Sequence, residues 1–359
     1  MRITSLEVIP YALPFERPYV TSRGRLESRE MVLVRLRTDE GLEGLGEAVP
    51  LSLRGGAALS AIVHELRESI APAIVGVDLD GDPPASNAPI ASGLSAPTAA
   101  AIEVARLDLA AKLAGIPLWR LLGAESAQPV ECNATLVAGP PNAVASDAER
   151  WLERGFSTFK LKVGVQGDVG QVEAVRATIG PHARIRVDAN GSWSPEEAVL
   201  RLTAMERHGI ELAEQPADDL EGLAAVRSQT AVPIAADESV ASPEDARHAV
   251  EARACQLATA KLVKVGGIGP TRGIAERLPV YLSSALDGPV GIAAAAHAVQ
   301  ALRDQGGLAP LAHGLATQLL FDGTVAAVEC DLQDSLLRLP EGPGLGVQID
   351  EEALGRHRL

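Results

Sequence analysis

Aromatic side chains are scarce in this chain, and basic clusters and long apolar runs are absent. Only 3% of the 359 residues are Phe, Tyr or Trp, which suits packing of helices on strands better than an aromatic-rich binding surface. No block of Lys and Arg offsets the formal net charge of −15, so we expect no binding to nucleic acid or to an anionic membrane. No segment approaches the ~20 apolar residues of a membrane span.

Cysteine is also rare. Cys132, Cys255 and Cys330 lie far apart without a Cys-x-x-Cys pair, so we interpret them as reduced thiols of the core. The first residues lack the apolar stretch of a signal peptide, and we expect a cytoplasmic protein. An acidic surface is ordinary for soluble cytoplasmic enzymes in general, and a locally positive pocket could still take a small anionic substrate. A homo-oligomer remains possible.

The first third of the chain predicts an α+β domain over residues 1–125. Between its first two strands, residues 15–30 are polar and irregular, and we expect a mobile loop over a site there. The predicted strands are Ile3–Leu13, Met31–Arg37 and Leu42–Val49, and the predicted helices are Ala57–Ile74 and Pro97–Ala114.

From about Val130 the pattern alternates strand and helix, which predicts an α/β fold of the (β/α)8-barrel type over residues 126–322. We expect the tail, 323–359, to return to the N-terminal capping domain. An open doubly wound sheet would require an early Gly-x-Gly-x-x-Gly turn that the chain lacks. The predicted strands are Glu131–Val137, Phe156–Val163, Arg184–Asp188, Glu211–Glu214, Pro233–Asp237, Gln256–Leu262, Val280–Ser284 and Ala312–Ala316.

Charged residues end successive predicted strands at regular steps. From Lys162 to Asp188, Glu214, Asp237 and Lys261 the steps are 26, 26, 23 and 24 residues, about the length of one βα unit. In a barrel these ends meet at one mouth. Three carboxylates there would repel one another unless a cation lay between them. Oxygen-only ligands predict Mg²⁺, with Mn²⁺ as a possible substitute.

Lysines flank the carboxylates, and we take Lys162, Lys261 and Lys160 as candidate catalytic residues. Lys160 and Lys162 lie two apart and face the same side of a strand, where mutual repulsion would lower the pKa of one and make it a base. Lys264 is the alternative to Lys261. Such a site supports 1,1-proton transfer, β-elimination or cycloisomerisation at a carbon next to a carboxylate.

The chain resembles the enolase superfamily, muconate lactonizing enzyme subgroup. The resemblance implies a modified (β/α)8 barrel with an α+β capping domain, Lys162 as acid/base catalyst, Lys261 opposite it, and metal ligands at Asp188, Glu214 and Asp237. The motifs that carry it are Lys160-Leu-Lys162, Asp188-Ala-Asn190, Glu214-Gln-Pro216, Asp237-Glu238-Ser239 and Lys261-Leu-Val-Lys264-Val-Gly-Gly267.

Within the subgroup, the segments 130–135, 283–291 and 313–317 look most like o-succinylbenzoate synthases, which dehydrate a cyclohexadiene carboxylate on the route to menaquinone. We expect Asn133, Asn190, Ser284 and Gly314 to contact the substrate. Dipeptide epimerases usually carry Asp-x-Asp at the eighth strand, where this chain has Gly-Leu-Ala. The alternatives are an N-succinyl or other N-acyl amino acid racemase, a dipeptide epimerase, a cycloisomerase, and, outside this class, a phosphate-binding barrel isomerase or a non-catalytic binding protein.

Overall fold

The structure is a computed structural model that describes residues 1–21, 24–51, 55–78 and 93–359. Its N-terminal part is an antiparallel sheet in the order β1-β2-β3, followed by helices. A π-helical turn, Glu65–Ile70, lies between the first two of these helices. The elements are β1 (Ile3–Thr21), β2 (Gly24–Thr38), β3 (Glu43–Ala48), α1 (Leu59–His64), α2 (Ala71–Ile74), α3 (Ala96–Leu113) and α4 (Leu118–Leu121).

Residues 15–21 and 24–30 belong to the two strands of a long β-hairpin, so the prediction of an irregular loop was wrong for them. Tyr19 pairs with Leu26 and Val20 with Arg25, because Tyr, Val and Thr at positions 19–21 favour extended backbone. The register shifts between Pro14 and Tyr19, which reflects the irregular composition of this stretch. Positions 22 and 23, with the arginine at 23, lie outside the described residues.

Two glycines let β3 pack directly on α3. A Cβ atom on Gly46 would lie 1.9 Å from the carbonyl oxygen of Ala101, and one on Gly44 would lie 2.1 Å from that of Ala105. No real Cβ tolerates such a distance, so these positions require glycine. The small residues on both elements therefore bring the sheet and helix backbones into contact.

The second part of the fold is built on seven parallel strands in the order β5 to β11, alternating with helices. The strands are β5 (Ala134–Leu136), β6 (Thr158–Lys162), β7 (Arg184–Asp188), β8 (Ile210–Glu214), β9 (Ile234–Ala236), β10 (Leu257–Ala260) and β11 (Val280–Leu282), with β4 (Val130–Glu131) preceding them. The helices are α5 (Pro141–Glu153), α6 (Asp168–Ile179), α7 (Pro195–Glu206), α8 (Leu220–Arg227), α9 (Pro243–Glu251), α10 (Leu262–Val265), α11 (Ile268–Ala275) and α12 (Pro289–Asp304).

The eighth strand is not a regular strand, which corrects the prediction of Ala312–Ala316. This segment closes the barrel through isolated bridges, His313 with Cys132 and Gly314 with Ser283. The His313 ring accepts a hydrogen bond from the backbone N–H of Leu282 through Nδ1, at 3.0 Å. Burial lowers the pKa of His313 to about 3, so the ring is neutral and can accept that bond.

The C-terminal tail contacts both halves of the chain. Strand β14 (Leu336–Arg338) pairs with β4, while the N–H of Leu359 donates to the carbonyl of Pro10 at 3.0 Å. The limits 1–125 and 126–322 remain our proposed domain boundaries. A 3₁₀ turn, Ala316–Leu320, precedes the tail elements β12 (Ala326–Val328), β13 (Asp331–Gln333), β14 (Leu336–Arg338), β15 (Gln348–Ile349) and α13 (Glu351–His357).

The three cysteines are buried free thiols. Among the described residues, no helix combines the length and the apolar character that crossing a bilayer requires.

The close packing of β3 on α3 predicts a strong effect of one methyl group. We expect Gly46→Ala to lower the free energy of unfolding by at least ~2 kcal/mol, because the added Cβ collides with backbone. Gly355→Ala is the matched control, since no heavy atom lies within 4 Å of its Cβ position in helix α13; it should raise stability by about 0.5–1 kcal/mol. Urea unfolding measures both, and a Gly46→Ala variant as stable as wild type would contradict this packing.

Candidate active site

Three carboxylates lie side by side at the carboxyl ends of neighbouring strands. Asp188 and Glu214 are register partners at the last positions of β7 and β8, and Asp237 directly follows β9. All three side chains are at most 1% exposed. Parallel strands bring their carboxyl ends to one mouth of the barrel, so the spacing in the sequence corresponds to one cluster of negative charge.

Lysine ammonium groups neutralise this cluster. Lys160 Nζ lies 2.7 Å from Glu214 Oε1 and 2.9 Å from Asp188 Oδ2. Lys162 Nζ lies 2.6 Å from the same Asp188 oxygen, as expected for two residues on one face of β6. From the opposite side, Lys261 donates to Asp237 Oδ2. Each carboxylate therefore has a buried cationic partner.

The pKa shifts follow from this pairing. Burial by itself would lower the pKa of Lys160, but Asp188 and Glu214 outweigh it and raise that pKa well above its usual value. Burial likewise opposes ionisation of Asp188, yet Lys160 and Lys162 hold the pKa of Asp188 well below its ordinary range. The expected lowering of a lysine pKa by its neighbour is therefore not found at Lys160.

Lys264 occupies a different position from Lys261. It lies on the short helix α10 and donates to Asp237 Oδ1 at 3.0 Å and to the carbonyl of Thr259 at 2.9 Å. Its ammonium group also donates to the backbone carbonyl of Asp237 and so holds the backbone there. Lys261, by contrast, lines the open cavity, which supports the preference for Lys261 as the opposing lysine.

Further buried groups hold the carboxylates in place. The Tyr281 hydroxyl donates to Glu214 Oε2, and the Arg186 guanidinium lies 5.3 Å from the centre of the Tyr281 ring. Asn190 adopts a φ of 50°, a left-handed conformation that Asn tolerates better than most residues. Its side chain accepts from Lys162 Nζ at 3.1 Å and donates to Glu238 Oε1 at 3.0 Å.

A cavity opens above the lysines between the barrel and the β1–β2 hairpin. Four of its lining side chains are cationic, and none of the described lining residues is a carboxylate. Arg29 of β2 is anchored there by donating to the carbonyls of Pro50 at 2.7 Å and Ala285 at 2.9 Å. The lining residues are Tyr19, Leu26, Arg29, Pro50, Leu51, Thr135, Lys160, Lys162, Asn190, Lys261, Ser283, Ser284, Ala285, Leu286 and Thr317.

The structure brings two of the four expected substrate contacts to this cavity. Asn190 and Ser284 line it, whereas Asn133 and Gly314 do not. Asn133 is fully buried and donates to the carbonyl of Ala134 at 3.0 Å. Gly314 packs on the adjacent strand, where a Cβ atom would lie 2.3 Å from Ser283 Oγ. Both therefore serve the barrel wall.

Sequence reasoning missed several lining residues. Thr135 is two positions beyond Asn133 on the same face, so the strand alternation indicated it. Tyr19, Leu26 and Arg29 come from the hairpin that was predicted as a loop. The distribution of lysines was a stronger indication of where the site lies. The chain has five lysines, and all except Lys112 lie at this site.

The donor set fits a hard divalent cation by its chemistry. Asp188, Glu214 and Asp237 offer only carboxylate oxygens, which Mg²⁺ prefers. Lys160 places its ammonium between two of these carboxylates, where a positive charge is electrostatically required. As the side chains stand, no three His, Cys, Asp or Glu groups of the described residues converge around one point.

Two sequence-family models match most of the chain. Residues 3–123 match the N-terminal domain of mandelate racemase and muconate lactonizing enzyme, and residues 143–353 match the enolase C-terminal domain-like family. This chain belongs to the enolase superfamily. The expected fold, a capping domain joined to a barrel of the enolase type, is confirmed.

Individual members of this superfamily resemble the chain over nearly its whole length. An L-Ala-D/L-Glu epimerase of Bacillus subtilis is 34% identical over 365 residues, covering 97% of both chains. An N-succinyl-L-Arg/Lys racemase of Bacillus cereus is 29% identical over 367 residues, covering 99% of this chain and 97% of the relative. A crystal structure of a dipeptide epimerase from Enterococcus faecalis, complexed with Mg and the dipeptide L-Leu-L-Tyr, superposes with a TM-score of 0.89 at 30% identity over 97% of this chain and all of the other.

These relatives change which activity within the superfamily is best supported. Within the superfamily, o-succinylbenzoate synthase was expected first, with racemases, epimerases and cycloisomerases as alternatives. The relatives described above are two epimerases and a racemase, so they favour the alternatives. The chain is an enzyme of the enolase superfamily.

Two buried carboxyl groups, those of Glu47 and Asp287, lie where the N-terminal sheet meets the loop after β11. Glu47 of β3 accepts hydrogen bonds from the Tyr11 hydroxyl at 2.9 Å and from the N–H of Gly288 at 2.6 Å. Asp287 lies beside it and accepts from the N–H of Ala285 at 2.7 Å. Burial, together with the nearby Asp287 carboxyl, raises the pKa of Glu47 to about 8. The contact is therefore favoured when Glu47 carries its proton.

This contact predicts a pH dependence of stability. Glu47 keeps its proton in the folded state up to about pH 8 but loses it in the unfolded chain near pH 4.5. Between these values the unfolded state binds fewer protons, so the free energy of unfolding falls as pH rises. We expect wild type to lose on the order of 2–4 kcal/mol more than Glu47→Gln between pH 5 and pH 8.

Urea titrations at the two pH values measure this difference. The control is Glu149→Gln, which removes a charge from an exposed position of α5 and should follow wild type. Equal pH dependence of Glu47→Gln and wild type would show that Glu47 is ionised in the folded protein.

Proposed function

We propose that this protein catalyses 1,1-proton transfer at the carbon next to a carboxylate, as a racemase or epimerase. The observation that carries the proposal is the position of two lysines in one cavity. Lys162 ends β6 and Lys261 follows β10, four strands apart in the sheet order, and both line the same space. A substrate bound between them has a proton carrier on each face.

The two lysines divide the reaction between them. A lysine without its proton removes the α-proton from one face of the substrate, and the lysine on the other face returns a proton there, which inverts the carbon. Each lysine must exchange its carboxylate partner for the substrate, because Asp188 and Asp237 hold them here. Asn190 positions Lys162 through the bond to its ammonium group.

Asp188, Glu214 and Asp237 are the residues that would hold Mg²⁺. The support is the oxygen-only donor set and the dipeptide epimerase relative that was crystallised with Mg. When bound, the ion supplies positive charge that stabilises the negative charge developing on the substrate carboxylate. Lys160 would then balance the remaining charge of the cluster.

The lining of the cavity favours an N-acylated amino acid over a free amine. Its charged side chains are Arg29, Lys160, Lys162 and Lys261, and a substrate ammonium group would meet like charge there. The barrel segment Gly314-Leu-Ala316 also offers no carboxylate to such a group. A neutral amide nitrogen avoids this conflict, in keeping with the N-succinyl amino acid racemase relative.

Dehydration of the o-succinylbenzoate precursor is the second candidate. The segments whose sequence favours it border the cavity, where Ser283, Ser284 and Thr317 are lining residues, and the hydroxyls of Ser284 and Thr317 are hydrogen-bonded to each other. Dehydration also begins with removal of an α-proton, so the same lysines serve both reactions. A higher kcat/KM for the cyclohexadiene substrate than for every acyl amino acid would favour dehydration.

Proton exchange in D₂O tests the division of labour between the lysines. We expect wild type with Mg²⁺ to exchange the α-proton of both enantiomers of an N-acyl amino acid. Lys162→Met and Lys261→Met should each lose racemisation by about 10²–10⁴-fold while each retains exchange with one enantiomer, opposite in the two variants. ¹H NMR and chiral chromatography measure exchange and inversion.

Lys112→Met is the matched control, because Lys112 is the lysine outside the site and pairs with Asp108 in the capping domain. It should racemise like wild type. The proposal is wrong if wild type exchanges no α-proton in N-acyl amino acids and dipeptides, or if both lysine variants lose exchange of both enantiomers equally.

A further inference from the structure

A second cavity adjoins the first one and extends it away from the lysines. Its volume is about 230 Å³, and it shares two wall residues, Tyr19 and Thr135, with the cavity above Lys162. Thr135 is also the register partner of Lys160 on the neighbouring strand. The two cavities are therefore neighbours on either side of Thr135 and Tyr19.

Three arginines line this second cavity, against two acidic residues. Arg17 of the hairpin and Arg150 of α5 both pair with Asp147, Arg17 at 3.1 Å, so two guanidinium groups share one carboxylate. Arg154, just beyond α5, has no side-chain hydrogen bond or ion pair among the described residues. Glu16 is the other acid in the wall.

This excess of positive charge contrasts with the protein as a whole. The chain carries 47 acidic and 32 basic residues, so an ordinary patch of its surface is acidic. The apolar part of the same wall is formed by Trp151, Leu319 and Leu320, which suits a few methylene groups. The lining thus matches a short apolar chain that ends in an anion.

We propose that this cavity binds a carboxylate at the far end of the acyl group, with Arg154 as its main partner and Arg150 beside it. The inference rests on the proposed function and deepens it, because it selects a dicarboxylic acyl group, such as N-succinyl, over a monocarboxylic one. Guanidinium groups suit this role, since they bind carboxylates through two parallel hydrogen bonds. Arg17 and Asp147 connect the hairpin to α5 and so form the outer wall of the subsite.

Matched acyl groups test the subsite. The N-succinyl and N-butanoyl derivatives of one amino acid have the same chain length and differ in the terminal carboxylate. We expect Arg154→Gln to raise KM for the N-succinyl substrate about five- to tenfold with kcat little changed, as for loss of one partly exposed charged hydrogen bond. KM for the N-butanoyl substrate should change less than twofold. Arg207→Gln, on an exposed surface outside both cavities, should affect neither.

Direct binding separates this proposal from the proposed function. Isothermal titration of the two derivatives into the Mg²⁺-loaded protein should show tighter binding of the N-succinyl compound to wild type, and that preference should be lost in Arg154→Gln. Preference without turnover would overturn the proposed function and retain the subsite. Turnover of both compounds with equal KM, or an equal effect of Arg154→Gln on both, would overturn the subsite.

Discussion

Three carboxylates buried side by side require positive charge, and this requirement governs the rest of the site. Asp188, Glu214 and Asp237 end three neighbouring parallel strands with almost no exposure to water. Like charges in that position repel one another and resist burial. The chain meets the requirement with buried lysines from β6 and from the residue after β10. Because these strands lie on opposite sides of the barrel, neutralising the cluster also places an ammonium group on each face of the cavity.

The remaining architecture closes the space above this cluster. The β1–β2 hairpin contributes Tyr19, Leu26 and Arg29 to the cavity, so the capping domain supplies the wall that faces the lysines. Arg29 and the Glu47 contact attach that domain to the loop after β11. The proposed function thus assigns proton transfer to the barrel and selection of the substrate to the hairpin and α5.

The barrel and the order of its charged residues were predictable from the sequence, because side-chain period and strand length are local properties. The partners of those residues were not. Which ammonium meets which carboxylate depends on the register between strands. Lys261 was preferred to Lys264 from its place in the predicted strand, but the contact of Lys264 with Asp237 from α10 was not predictable. The β1–β2 hairpin was mistaken for a loop because its polar side chains obscure the strand alternation and its register shifts between Pro14 and Tyr19. Asn133 and Thr135 lie on the same face of the predicted strand, and no local pattern shows that Thr135 lines the cavity while Asn133 does not.

Competition between metal and lysine tests the central claim most directly. If the three carboxylates form the Mg²⁺ site, calorimetric titration should detect one Mg²⁺ per chain, and Lys160→Met, which removes the ammonium between Asp188 and Glu214, should bind Mg²⁺ more tightly than wild type. Glu214→Gln should bind it at least tenfold more weakly, as for loss of one charged ligand. Mg²⁺ affinities that are the same in wild type, Lys160→Met and Glu214→Gln would contradict this account.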